Sequence, residues 1–119
     1  MKKEFKRHVT VFGDYFIKFK RTLQQQTINK IYQVIIYIMS LDVIPQTYLK
    51  SIAGAPGLFE IRVEDQGNAY RIFCCFDEGN LIILFNGFQK KSQKTPRKEI
   101  DTAMRIMNEY FANKEKNRK

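Results

Sequence analysis

The sequence has few of the side chains on which most hydrolytic active sites depend. Among its 119 residues there is one histidine, His8, and the two cysteines, Cys74 and Cys75, are adjacent. A metal site needs more such ligands, so we expect neither a metal nor another cofactor. Nucleophilic triads and two-metal hydrolysis are poorly supported for the same reason, because no histidine or carboxylate pair has a useful spacing.

Long apolar runs are also missing. The longest, residues 34–39, is far too short to cross a bilayer, and the basic first residues lead into no apolar leader segment. Neighbouring residues of a strand point to opposite faces, so Cys74 and Cys75 are not expected to form a disulfide. Reduced, buried thiols are typical of the cytoplasm, where we expect the protein to be located, with no membrane contact.

Acidic residues are scarce relative to basic ones. The 21 lysines and arginines exceed the 12 aspartates and glutamates and give a net charge of +9. This balance favours nucleic acid or a strongly acidic protein as partner, although a merely solvated basic surface has the same composition. The hydrophobic fraction of 44% predicts a folded chain with a core of its own.

The hydrophobic periodicity predicts one α+β domain over residues 1–119, in the order β-α-α-β-β-β-α. A helical hairpin is expected to cover one face of an antiparallel-rich sheet and to leave the other face partly open for a site. The predicted strands are 8–12, 58–64, 70–76 and 81–88, the helices are 14–23, 27–41 and 96–111, a connector spans 42–57, and a frayed charged tail spans 113–119.

One basic segment, residues 86–98, joins the last predicted strand to the last helix. It contains no acidic residue and five cations: Lys90, Lys91, Lys94, Arg97 and Lys98. Within this segment, Thr95 and Pro96 are a good helix start, with Thr95 as the predicted cap. Because both ends of the segment are held, its positive charge is fixed in place, which favours a phosphate ligand.

Two arginines interrupt predicted strands. Arg62 and Arg71 alternate with the apolar residues of their strands, and a tight hairpin between them would bring both side chains to one face. The alternative is a structural pairing of Arg71 with Glu60 or Glu64 across the strands. Because the lysines of the basic segment lie one strand away, we favour a cationic basin.

Such a basin suits RNA cleavage, because RNA carries its own nucleophile, the 2′-OH. Arginine and lysine can neutralise the charge that develops on phosphorus, and a lysine surrounded by other cations has a lowered pKa and can accept a proton. Lys90 or Lys91 is the best candidate for that base. Tyr70 or Phe88 could stack on splayed bases, although core packing is the favoured interpretation of Phe88.

Three stretches resemble a known family. Residues 49–63 (LKSIAGAPGLFEIRV) are similar to its pattern of a lysine, a glycine-rich turn and GLYELR, and residues 70–73 (YRIF) resemble its Tyr-Arg-Ile/Val-aromatic strand. Residues 86–96 (NGFQKKSQKTP), followed by Glu99, Ile100 and Ala103, are similar to the signature FxKKTxKTPxxEIxxA, with Ser92 in place of threonine. The family is the HigB-like, phage-derived branch of the RelE/ParE toxin superfamily, and the likeness covers about residues 9–111.

The resemblance implies a RelE-like fold and a ribosome-dependent mRNA endonuclease, the toxin of a type II toxin–antitoxin pair. It implies a helix-turn-helix antitoxin of the HigA kind, with operator DNA bound only through that antitoxin. By position it assigns the catalytic role to Arg62, Arg71, Lys90 and Lys91. Lys94, Arg97, Lys98 and Tyr70 are predicted to bind RNA.

Other members of the superfamily use a histidine or a C-terminal tyrosine near the scissile phosphate. Here His8 lies on the first predicted strand and Tyr110 is predicted to lie in the core. Two alternatives to the nuclease stay open: a non-enzymatic, gyrase-directed toxin like ParE, and a phage-derived nucleic-acid-binding protein without catalysis.

Overall fold

A computed structural model describes residues 4–118, so both ends of the predicted 1–119 domain lie outside the described residues. Within that range the predicted α+β class and element order are confirmed. One strand is added, β2, inside the segment that was predicted to be a connector. The elements are β1 (His8–Val11), α1 (Tyr15–Lys20), α2 (Gln25–Ser40), β2 (Leu49–Ser51), β3 (Phe59–Asp65), β4 (Asn68–Asp77), β5 (Leu81–Lys90) and α3 (Arg97–Asn117).

The strands form one sheet in the order β1-β5-β4-β3-β2, in which β1 runs parallel to β5 and the other pairs are antiparallel. The strand β2 was missed because it has only three residues, of which only Leu49 is buried. It forms by pairing with β3, and no local sequence pattern predicts this pairing. None of the described helices is long and apolar enough to cross a membrane.

Both faces of the sheet carry a hydrophobic core. On one face α1 and α2 pack against alternate residues of β3 and β4, among them Ile61 and Ile72. On the other, α3 covers Phe73, Ile83 and Phe85. The two cysteines divide between these cores, as the strand alternation predicted, and burial raises the pKa of Cys75 to about 12.

A β-bulge sets the direction of the last residues of β5. Between the pairs Cys74–Leu84 and Ile72–Gly87, β5 has one residue more than β4. The odd-numbered Ile83 and Phe85 therefore face α3 before the bulge, and an even-numbered residue, Phe88, faces the same way after it. Lys90, two residues on, follows Phe88 to that face.

Gly87 lets α1 pack directly on this irregular part of β5. A Cβ at that position would lie 2.5 Å from the ring of Phe19, which is buried in the core. Glycine is therefore required here by the close approach of an aromatic side chain. The helix α1 ends at Lys20, three residues earlier than predicted, and its buried Phe16 and Phe19 pack in the core on this face of the sheet.

The C-terminal half of α3 is tied to the turn between β4 and β5. Lys114 Nζ lies 2.7 Å from Asp77 Oδ1, and the Tyr110 hydroxyl donates to the same carboxylate. Arg118 donates to Glu78. These contacts explain why α3 continues to Asn117, whereas its predicted end was near Phe111 and the tail was expected to fray; Lys119 lies outside the described residues.

Asp77→Asn should lower the free energy of unfolding by about 1 to 2 kcal/mol at neutral pH, because it removes the charge that Lys114 and Tyr110 share. Bonds from Lys114 and Tyr110 lower the pKa of Asp77 to about 2. The stabilisation is therefore complete above the unfolded pKa near ~4 and is lost as the pH falls toward about 2. Chemical denaturation at neutral pH and at a pH of about 2 measures this loss of unfolding free energy. Asp14→Asn is the control, because the Asp14 side chain is 62% exposed; an equal loss in both variants would contradict the prediction.

Candidate functional site

Two arginines face each other across neighbouring strands. Arg62 on β3 is the direct register partner of Arg71 on β4, and both lie on the face opposite the core of α1 and α2. Like charges in directly opposed positions destabilise a sheet. The pairing therefore needs a compensating negative charge.

Glu60 provides that charge. Its Oε2 lies 3.6 Å from Nε of Arg62 and 3.6 Å from Nε of Arg71, and the residue is 5% exposed. At 3.6 Å neither contact is a direct hydrogen bond, so the arginine donors are not consumed by the carboxylate. Nε of Arg71 is buried without a hydrogen-bond partner in residues 4–118. Arg71 thus pairs with Glu60, as the alternative interpretation predicted. The same arginine also belongs to the cluster of cations, so the two interpretations hold together.

Thr95 connects this centre to the basic segment. Its hydroxyl donates to Glu60 Oε1 at 3.2 Å, and α3 begins at Arg97 with no side-chain cap. The predicted role of Thr95 as a helix cap is therefore wrong, because the buried carboxylate is a stronger acceptor for its hydroxyl than the helix N–H groups. The bond holds the end of the lysine-rich loop against β3.

Lys90 lies beside the arginine pair. Burial lowers the pKa of Lys90, the positive charges of Arg71 and Arg62 lower it further, and Glu60 and Glu64 oppose them. Burial also lowers the pKa of Arg71, although a guanidinium stays charged. An open cleft of about 480 Å³ lies here, lined by Ala69, Arg71, Lys90, Lys91, Ser92 and Gln93.

The remaining predicted cations lie at the rim. Lys91 is exposed and lines the cleft, and Lys94 is exposed in the loop, where the Ser92 hydroxyl donates to its carbonyl. Arg97 and Lys98 are exposed in the first turn of α3, and Arg97 is paired with Asp101 at 3.1 Å. The structure therefore brings Arg62, Arg71, Lys90 and Lys91 together and leaves Lys94, Arg97 and Lys98 around them.

The two aromatic candidates lie on opposite faces of the sheet, and Phe88 packs against the core beneath α3 as favoured. Tyr70 is 6% exposed in the core beneath α1 and α2, on the face opposite Arg71, so it is not brought to the cleft. Phe88 lies on the cleft face as the register partner of Arg71, partly buried, with its ring stacked on Phe73 at 5.7 Å. Tyr70 is buried because its strand alternates with Arg71, and only one of the two can face the charged side.

The two conventional acid–base candidates lie elsewhere. His8 is exposed on the edge strand β1 and pairs with Leu81, at the opposite end of β5 from Lys90. The Tyr110 hydroxyl is engaged by Asp77, and burial raises the pKa of that phenol. Among residues 4–118 no three His, Cys, Asp or Glu side chains are grouped as a metal site.

Glu60 and Thr95 are the members of the site that the sequence interpretation did not assign to it. The alternation of residues 59–63 contained a signal for Glu60, because it places Glu60 and Arg62 on one face. The contact of Thr95 with Glu60 joins residues 35 positions apart and has no local signal. Chemically, the assembled site offers fixed positive charge beside an amine with a lowered pKa, around one buried carboxylate.

A comparison with known families places the site within a recognised sequence family. Residues 14–108 match the family model described as Phage derived protein Gp49-like (DUF891), a range that runs from the start of α1 into α3 and includes the whole site. No curated protein matches the chain.

We expect the pKa of Lys90 to lie below the usual value for a lysine, because Lys90 is partly buried beside two guanidinium groups. Glu60→Gln should lower the pKa of Lys90 further, since it removes a negative charge that opposes the arginines. NMR titration of the lysine side chains measures both values. A Lys90 pKa that stays the same or rises in Glu60→Gln would contradict the site geometry.

Proposed function

Because the chain belongs to the Gp49-like family of phage-derived proteins, which is part of the RelE/ParE-type toxin–antitoxin group, we propose that it is a HigB-like toxin that cleaves mRNA on the ribosome. The observation that carries this proposal is the opposed pair of Arg62 and Arg71 around Glu60, with Lys90 in the adjoining cleft. A protein that only blocked another protein would not need a buried arginine and a lysine with a lowered pKa beside one open cleft.

The reaction needs no nucleophile from the protein. The 2′-oxygen of the nucleotide before the cut attacks phosphorus, and the bond to the 5′-oxygen of the next nucleotide breaks. The products are a 2′,3′-cyclic phosphate and a 5′-hydroxyl. One proton leaves the 2′-OH and one is delivered to the departing 5′-oxygen. The protein must supply charge stabilisation, orientation and at least the proton acceptor.

We assign the charge stabilisation to the two arginines. Arg62, whose side chain is 28% exposed, contacts the phosphate oxygens directly, while Arg71 is nearly buried and presents only its edge to the cleft. A guanidinium in a site shielded from water stabilises developing negative charge more strongly than one in solvent. Glu60 is a positioning residue, because it is buried and holds both arginines in place.

Lys90 is the proposed proton acceptor. Its lowered pKa increases the neutral fraction of the amine near neutral pH, and only a neutral amine can accept the 2′-OH proton. Lys91, Lys94 and Lys98 are proposed to bind the RNA backbone or ribosomal RNA from the rim, as the net charge of +9 favours. Arg97 contributes less, since Asp101 already pairs with it.

The proposed partners follow from the family. An antitoxin is expected for a member of the toxin–antitoxin group, and we propose that it is of the helix-turn-helix, HigA-like kind. In this proposal operator DNA is bound through the antitoxin, and translating ribosomes present the mRNA to the toxin.

Induced expression without antitoxin should stop translation and produce mRNA 5′ ends inside translated frames, and Arg71→Gln should abolish both effects. We expect cleavage by Arg71→Gln to fall on the order of 100-fold or more, as when one donor to a charged transition state is removed. Sequencing of mRNA 5′ ends and a circular dichroism melt measure cleavage and folding.

Arg105→Gln is the matched control, because the Arg105 side chain is 63% exposed on α3 and does not line the cleft. A folded Arg71→Gln with undiminished toxicity would show that Arg71 is purely structural. DNA breaks with continued translation would instead favour a gyrase-directed toxin.

Lys90→Met should remove cleavage, whereas Lys91→Met should be mild, because Lys90 is the lysine whose pKa the arginines lower. The single-turnover rate of the unsubstituted protein should rise with pH toward that lowered pKa and then level off. Quench-flow cleavage on programmed ribosomes measures the profile. A flat profile, or two equally mild variants, would mean that neither lysine is the base.

A further inference from the structure

A second cleft, on the α2 side of β3, adjoins the candidate site. It has a volume of about 290 Å³ and is lined by Lys30, Val34, Thr47, Tyr48, Arg62 and Glu64. The backbone places Tyr48 beside Arg62, since the amide of Arg62 donates to the Tyr48 carbonyl at 2.8 Å. This cleft has no lining residue in common with the cleft that contains Lys90, but its Arg62 is the register partner of Arg71, which lines that other cleft.

Arg62 connects the two places. Its Nε faces Glu60 within the candidate site, and the same side chain lines the second cleft together with Lys30. A nucleic acid strand whose phosphate lies on the arginine pair can therefore continue along Arg62 to Lys30 without leaving positive charge. Such a continuous basic path is what single-stranded nucleic acid requires.

The second cleft also offers an aromatic wall and a hydrogen-bond acceptor. The ring of Tyr48 lies against the ring of Tyr37, with centroids 5.6 Å apart, which restrains its orientation. Val34 is buried and gives the cleft an apolar floor. Glu64 repels phosphate but can accept from the amino group of a base. These groups together match a nucleobase better than a phosphate alone.

We propose that this cleft binds one nucleotide of single-stranded RNA that flanks the scissile phosphate. Its base stacks on Tyr48, Glu64 accepts from the amino edge of the base, and the adjoining phosphate lies between Lys30 and Arg62. The inference rests on the proposed RNA substrate and adds a base-binding subsite to it. The protein thereby holds the strand on both sides of Arg62.

The test is binding of a labelled single-stranded RNA oligonucleotide, followed by fluorescence anisotropy at low salt. Tyr48→Leu should weaken binding about 5- to 150-fold, the range for loss of one base–aromatic stack, while Tyr48→Phe should bind like the unsubstituted protein. In a series of oligonucleotides that each carry one abasic position, one oligonucleotide should bind more weakly by the same factor. That loss should disappear in Tyr48→Leu, because the stack is already absent.

Tyr32 on α2 and Lys20 at the end of α1 provide the matched controls. Tyr32 and Lys20 are in hydrogen-bond contact at 2.9 Å, and neither lines the second cleft. Tyr32→Leu should leave RNA affinity unchanged. Lys30→Gln should reduce the slope of log affinity against log salt by about 0.7, the value for one phosphate of a single strand, and Lys20→Gln should not.

The outcomes distinguish the base-binding subsite from the proposed nuclease. The subsite would be overturned if Tyr48→Leu bound RNA as tightly as Tyr32→Leu does. It would also be overturned if the abasic position weakened binding equally in Tyr48→Leu and in the unsubstituted protein. Because Tyr48 is partly buried, a melt checks folding; if Tyr48→Leu unfolds, the salt slope of Lys30→Gln decides. RNA binding that depends on Tyr48, without any cleavage on ribosomes, would overturn the nuclease and leave the subsite standing. Absence of RNA binding by the unsubstituted protein would overturn the subsite, and absence of cleavage on ribosomes as well would overturn both.

Discussion

The candidate site depends on one buried carboxylate between two directly opposed arginines. Without Glu60, the positive charges of Arg62 and Arg71 would repel each other in a poorly solvated place on the β3–β4 hairpin. With it, the two guanidinium groups stay in register and keep donors free, because both contacts to the carboxylate are longer than hydrogen bonds. The bond from Thr95 extends this order to the basic loop. A single negative charge thus organises the positive ones.

The two ends of the sheet have different roles. At one end, Asp77 ties α3 to the sheet through Lys114 and Tyr110, and these groups are occupied with stability. At the other end, β3, β4 and β5 extend past the start of α3 and carry the uncovered charges. The helix α3 is therefore anchored at the end of the sheet away from the candidate site. The site is exposed because α3 begins only where the basic loop ends. The family places these features in a toxin–antitoxin context.

Strand alternation explains both the successes and the failures of the sequence interpretation. It correctly predicted that Arg62 and Arg71 share a face, and that the adjacent cysteines divide between the two cores. The same alternation places Tyr70 opposite Arg71, in the core, so its expected contact with RNA has no support in the geometry. The pattern of residues 59–63 also contained Glu60, which had been considered only as an ion-pair partner.

The sequence by itself determined the fold class, the order of the main elements and the segments that carry the cations, because periodicity, turn residues and family-like motifs are local properties of the chain. Only the tertiary structure decided which cations meet. The bulge in β5 arises from pairing with β4, and it leads Phe88 and Lys90 to the face of Arg71. The strand β2 and the bond from Thr95 to Glu60 likewise join distant residues. Such contacts depend on how separate elements pack, and no single segment encodes them.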